Sequence, residues 1–129
     1  MKGTLITCFC FLIFVSQAQK KTLYEEVSFL YEQEKYDECL RLEPSLLTWA
    51  TGRTDTLAAN VYSYLADAHL NKGTSEKAIL FFDNEVTIRE KLLPDGAVDY
   101  SNALFNLSFA CLEANEYERG KEVGKKLLL

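Results

Sequence analysis

One pattern of large and small residues occurs twice in this chain, and the second copy follows the first by 42 residues. Each copy has two large residues three positions apart, then a small residue, a turn residue and a second small residue. The first copy consists of Tyr62, Leu65, Ala66, Gly73 and Ala78, and the second of Leu104, Leu107, Ser108, Asn115 and Gly120. Self-similarity at a period of about 20–50 residues is typical of stacked structural repeats. The sequence therefore predicts an array of similar units.

Apolar residues recur at helical spacing through this array, and no segment alternates as a strand would. The pattern predicts six helices, over residues 20–34, 36–50, 54–72, 74–92, from 95 or 99 up to Asn115, and 116–129. Gly52, Gly73 and Asn115 suit the left-handed turn that ends a helix. Thr54 is expected to cap the third helix, and Thr74 or Ser75 the fourth. Pro44 lies inside the second helix, so we expect a kink there or a restart after Leu42.

The first 18 residues have the features of a secretory signal peptide. Lys2 supplies a positive charge, residues 5–15 form an apolar core, and Ser16 and Ala18 are small residues at the sites that a signal peptidase reads. The apolar core is too short to span a bilayer. We therefore predict an exported protein, periplasmic or secreted, that is cleaved after Ala18. An uncleaved anchor is the alternative.

Charge and cysteine content narrow the classes of partner. The chain has 14 basic and 19 acidic residues, a net charge of −5, and no basic cluster. This composition argues against nucleic acid and against anionic membranes as partners. Beyond the leader the two cysteines are Cys39 and Cys111, which belong to the first and third predicted helix pairs. A disulfide needs Cα atoms within about 7 Å, so we expect two buried thiols instead.

The repeated residues resemble the tetratricopeptide repeat family, in its 42-residue, kinesin-light-chain-like variety. Residues 62–82 match the family pattern best, whereas the third copy keeps only its small residues and the first has Val27 at a small position. The resemblance implies an all-α protein, a right-handed α-solenoid of about three helix–turn–helix pairs. The pairs would cover residues 20–51, 54–93 and 96–129 within a repeat domain of residues 19–129.

The resemblance also implies a peptide-binding site on the concave face, formed by the first helix of each pair. The residues that this face would present are Tyr24, Ser28, Tyr31, Asn60, Ser63, Asp67, Asn71, Asn102, Phe105, Asn106 and Phe109. Alternatively, Tyr31, Phe105 and Phe109 seal contacts between neighbouring helices. The family's carboxylate clamp is not expected, because the inner positions of the second and third pairs carry no Lys or Arg.

No residue pattern indicates catalysis, a metal site or a cofactor. His69 is the single histidine, and it aligns with a large packing residue of the repeat, which predicts a buried imidazole. We therefore expect a non-enzymatic scaffold that binds a protein or peptide partner. Two alternatives remain: the N-terminal repeat region of a longer exported signalling or peptidase protein, and a structural protein that self-associates through Leu127, Leu128 and Leu129.

Overall fold

A computed structural model describes residues 21–129, which contain helices and no strand. The predicted leader lies outside the described residues, as does its cleavage site. The helices are α1 (Leu23–Glu32), α2 (Tyr36–Arg41), α3 (Glu43–Ala50), α4 (Thr56–Asn71), α5 (Ser75–Lys91), α6 (Ala97–Glu113) and α7 (Tyr117–Lys126). The all-α prediction is confirmed for this part of the chain.

The second predicted helix is divided at Leu42 into α2 and α3. Pro44 lies in the first turn of α3, where its missing N–H removes no helical hydrogen bond. The N–H of Leu42 bonds back to the Cys39 carbonyl, and the Leu42 carbonyl accepts from the N–H of Leu46, so one residue ends α2 and starts α3. The expected restart after Leu42 is thus the one observed.

Three helix ends share one turn geometry. Glu34, Gly73 and Asn115 follow α1, α4 and α6 with φ values of 55°, 80° and 63°. After each of them, the next N–H reaches back five residues to a helix carbonyl: Lys35 to Leu30 (2.9 Å), Thr74 to His69 (2.9 Å) and Glu116 to Cys111 (2.8 Å). This is the hydrogen bond of a Schellman motif. The left-handed turns expected at Gly73 and Asn115 are confirmed, and Glu34 forms a third that the sequence did not reveal.

The helix starts differ from the prediction at three places. Asp55, not Thr54, caps α4, since its carboxylate accepts from the N–H of Ala58 at 2.9 Å. Thr74 precedes α5, but its hydroxyl donates to the His69 carbonyl instead of capping the helix. Gly96, in a left-handed conformation, precedes α6 in place of Asp95 or Asp99. The spacing of apolar residues predicts these helices but not their capping contacts.

Helices that follow one another in sequence pack together, and α4 also contacts α1, α2 and α3. Small residues lie where consecutive helices meet. Ala66 and Ala78 are both fully buried in one cluster. A Cβ atom on Gly120 would lie 3.4 Å from Cys111 Cβ, so α6 and α7 are close at this point. The Ser108 hydroxyl donates to the Gly120 carbonyl at 2.9 Å.

The apolar interior consists of two clusters. The first contains buried residues of α1 to α4 together with Ile88 of α5, and the second contains buried residues of α4 to α7. Cys39 belongs to the first cluster and Cys111 to the second, and both are free and fully buried. The expectation of two buried thiols is confirmed. Burial raises the pKa of Cys39 to about 11.

Candidate functional site

The predicted binding face divides into a half-buried part and an exposed part. Tyr24, Tyr31, Asn60, Ser63 and Asp67, on α1 and α4, are half-buried. Asn102, Phe105 and Phe109, on α6, are exposed. Among the other residues of the predicted face, Ser28 and Asn106 are half-buried and Asn71 is exposed. The two parts therefore present different surfaces.

Tyr31 holds α1 against α4. Its hydroxyl donates to Asp67 Oδ2, and its ring stacks on Tyr64 with centroids 4.4 Å apart. Burial raises the pKa of Tyr31 well above its usual range, and the bond to Asp67 raises it further. Tyr31 and Asp67 thus act as packing residues between two helices, which for Tyr31 favours the sealing interpretation.

Asn60 joins three helices. Its amide nitrogen donates to the Tyr24 hydroxyl of α1 at 3.0 Å, and its amide oxygen accepts from Arg89 of α5 at 2.9 Å. The Tyr24 ring is stacked on Trp49 of α3, with a centroid distance of 6.2 Å. Both polar ends of Asn60 are therefore used inside the molecule.

Arg89 and Glu85 form a buried ion pair on α5 that the sequence did not reveal. Arg89 Nε donates to Glu85 Oε1 at 2.7 Å, and the two residues are 8% and 3% exposed. An Arg89 terminal nitrogen lies 3.9 Å from Asp99 of α6. Burial raises the pKa of Glu85, although the hydrogen bond from Arg89 opposes this. Glu85 Oε2 is buried without a hydrogen-bond partner.

The spacing of residues along α5 could have revealed that this ion pair is buried. Ala78, Phe82, Glu85 and Arg89 are spaced by four, three and four residues, so they share one face of α5. Ala78 and Phe82 are fully buried on that face. The spacing places the two charged residues in the interior, whereas hydropathy alone assigns them to solvent.

His69 is buried, as predicted, and it takes part in a polar link between α3 and α4. Its Nε2 lies 2.6 Å from Glu43 Oε1, and its ring is stacked on Phe81. Its Nδ1 lies 2.8 Å from the Thr74 hydroxyl, which itself donates to the His69 carbonyl. With both ring nitrogens in contact with neighbours, His69 has a structural role.

Two residues of the exposed part, Phe105 and Phe109, belong to an apolar stripe on α6. We define the α6 stripe as Val98, Phe105, Phe109 and Leu112, which are 74%, 61%, 45% and 46% exposed. Their spacing of seven, four and three residues places them on one side of the helix. The other exposed residues between Val98 and Leu112 are Asp99, Ser101 and Asn102, so one charged residue, Asp99, lies within the length of the stripe, and exposed Glu113 follows it. A row of exposed large apolar side chains of this kind is a candidate contact site.

Leu127, Leu128 and Leu129, the residues predicted to self-associate, are exposed at the end of α7. In residues 21–129, no three histidine, cysteine or acidic side chains are grouped as metal ligands would be. None of the helices in the same range has the length and hydropathy needed to cross a bilayer. These observations concern the described helices alone.

The chain was compared with family models, with curated proteins and with solved structures. No family model matches it. No curated protein and no solved structure matches it either.

Proposed function

We propose that this protein is an exported scaffold of the tetratricopeptide type that binds a protein or peptide through its concave helical face and carries no catalysis. The equivalent turns at Glu34, Gly73 and Asn115 support the repeat assignment, because they share a left-handed residue and a hydrogen bond. Successive helix pairs built on such turns would form a right-handed α-solenoid. Export rests on the leader pattern of residues 1–18.

The observation that carries the binding role is the exposed apolar stripe of α6. Phe105 and Phe109 offer two rings for apolar contact, and Asn102 offers an amide that both donates and accepts. About a quarter of the residues in the chain are charged (26%), whereas residues 100–112 contain no charged residue. Such a surface suits a partner that presents apolar side chains beside backbone amides.

The half-buried part of the face would then have a supporting role. Asn60 and Arg89 join α1, α4 and α5 through hydrogen bonds, and Tyr31 with Asp67 fixes α1 on α4. A rigid frame reduces the conformational entropy that the protein loses when it binds a partner. The frame orients the helices while α6 provides the contacts.

A selection from a phage-displayed peptide library tests this role. We expect peptides with aliphatic or aromatic residues to be enriched and to bind with Kd values of roughly 1–100 μM. Phe109→Ala should weaken their binding by about tenfold or more, because it removes an exposed aromatic contact. Calorimetry of the purified protein measures this change.

Leu80→Ala is the matched control for Phe109→Ala. Leu80 is a large apolar residue, 62% exposed, and it lies on α5. Its replacement should leave peptide affinity unchanged. Equal affinity of the selected peptides for both variants, or no enrichment of any peptide, would contradict a binding role for α6.

A further inference from the structure

We propose that the partner of the α6 stripe is a second copy of this chain, docked about a twofold axis that passes beside Phe105. The inference rests on the proposed function in one respect, namely that the α6 surface is a contact site. The stripe contains four large apolar side chains, and it exposes on the order of 300 Å² of apolar surface.

The turns give the α6 stripe an internal counterpart on α1. Glu34 and Asn115 occupy equivalent turn positions 81 residues apart. The same offset relates Phe105 to Tyr24 and Leu112 to Tyr31. On α1 these positions are half-buried, because α4 packs on them through the contacts of Asn60, Tyr64 and Asp67. The face in question is thus one that a helix covers elsewhere in this chain.

A head-to-tail stack of copies would place α1 of one molecule on α6 of the next, and the charges on α1 disfavour it. Glu25, Glu26 and Glu32 are exposed on α1. The exposed ring of Phe29 is covered by Lys21, whose Nζ lies 4.2 Å from the ring centroid. Burying these carboxylates against phenyl rings would leave charges unpaired in an apolar contact. The apolar stripe therefore matches a second α6 better than it matches α1.

The spacing of the stripe is self-complementary. Val98 and Leu112 lie seven residues before and after Phe105. In an antiparallel pair centred on Phe105, Val98 contacts the partner's Leu112, and Phe109 lies opposite the partner's Ser101. A twofold contact of this kind uses the same patch on both subunits and closes at two copies. No charged residue lies among the exposed residues from Tyr100 to Leu112. Asp99 and Glu113 are exposed on either side of this stretch, so the like charges of Asp99 and the partner's Glu113 lie at the ends of the pair, outside the apolar contact.

The area of the stripe limits the strength of the dimer. Stable protein interfaces bury about 800 Å² per partner, and the stripe supplies less than half of that. We therefore expect a reversible dimer with a Kd of roughly 1–100 μM.

Sedimentation velocity of the exported chain between about 1 and 300 μM tests the dimer, with circular dichroism as the check on folding. The wild type should shift from monomer to dimer as the concentration rises. Phe105→Glu should weaken the dimer by at least about 100-fold, because it buries a charge on the axis. Leu80→Glu and Leu128→Glu should dimerise as the wild type does, since neither residue is in the stripe. A wild type that stays monomeric at 300 μM, or a Phe105→Glu variant that dimerises normally, overturns the proposal.

Cysteine cross-linking tests the geometry with variants that keep the central Phe105. A mixture of Val98→Cys and Leu112→Cys should form a disulfide between subunits. Val98→Cys alone should not, because its two copies would lie roughly 20 Å apart at about 1.5 Å per residue. Cross-linking of Val98→Cys to itself, without the mixed product, overturns the antiparallel arrangement.

The peptide selection separates the two proposals. A monomer that still binds selected peptides would overturn the dimer and leave the peptide-binding role in place. A dimer that binds no peptide would support self-association and contradict that role.

Discussion

Arg89 is the side chain on which the polar contacts among α4, α5 and α6 converge. It bonds to Glu85 on its own helix and to Asn60 on α4, and it lies near Asp99 on α6. A buried ion pair contributes little net stability compared with apolar residues of the same size, but losing one partner leaves a charge uncompensated. The importance of Arg89 is therefore best measured by removing it alone.

We expect Arg89→Met to lower the free energy of unfolding by about 3 kcal/mol at pH 7. The loss should shrink in acid. In acid Glu85 takes up a proton, and a neutral carboxyl group leaves no charge uncompensated when Arg89 is removed. Burial raises the folded pKa of Glu85, so the stability that its protonation contributes is lost as pH rises through that pKa. Urea unfolding between pH 4 and pH 8 measures the trend.

Lys91→Met, at an exposed position on the same helix, is the control for Arg89→Met and should change stability little. A destabilisation of Arg89→Met that stays constant from pH 4 to pH 8 would show that Glu85 is not the group left uncompensated.

At the scale of the helices, the three equivalent turns accept different residues at the same backbone conformation. A left-handed conformation costs an ordinary residue about 1–2 kcal/mol, whereas glycine adopts it without a steric penalty. Gly73 meets this requirement, and asparagine, as at Asn115, tolerates it better than most residues. Glu34 has neither property, yet it has a φ of 55°. The first turn is therefore the most strained of the three.

Glu34→Gly should stabilise the fold by roughly 0.5–1 kcal/mol, because relief of the strain exceeds the added entropy of the unfolded chain. Gly73→Ala should destabilise it by about 1 kcal/mol, although nothing lies within 4 Å of the added Cβ. Thermal unfolding followed by circular dichroism measures both changes. The left-handed assignment at residue 34 would be wrong if glycine there lowered the melting temperature.

Helix positions and two of the turns could be predicted from the sequence, because hydrophobic spacing and residues such as Gly73 and Pro44 act locally. The left-handed turn at Glu34 could not, since tertiary packing overrides the preference of that residue. Sequence patterns also could not predict that the binding face divides into a half-buried part and an exposed part. Whether Tyr31 or Phe105 is covered depends on which helix packs beside it, and spacing within one helix does not determine that.

At the scale of the whole molecule, Phe81 connects the two apolar clusters. Its side chain packs against buried residues of both, and its ring is stacked on Tyr62 and His69. Parts of a fold open separately unless contacts between them couple their unfolding, so cooperative unfolding depends on such bridging side chains. Phe81 is half-buried, so it lies between the clusters and not at the centre of either.

Phe81→Ala should destabilise the protein by about 2–3 kcal/mol and separate the unfolding of the two clusters. Trp49, the single tryptophan, packs against the first cluster, so its fluorescence follows that cluster. Circular dichroism follows all the helices. The two signals should coincide in the wild type and diverge in Phe81→Ala. Coinciding signals in the variant would show that other contacts couple the clusters.

The positions of Cys39 and Cys111 give the protein two internal chemical probes. Each thiol is fully enclosed in a different cluster. An alkylating reagent can reach Cys39 only when the first cluster opens, and Cys111 only when the second does. Mass spectrometry of timed alkylation would therefore yield a separate opening rate for each half of the fold, without any added label.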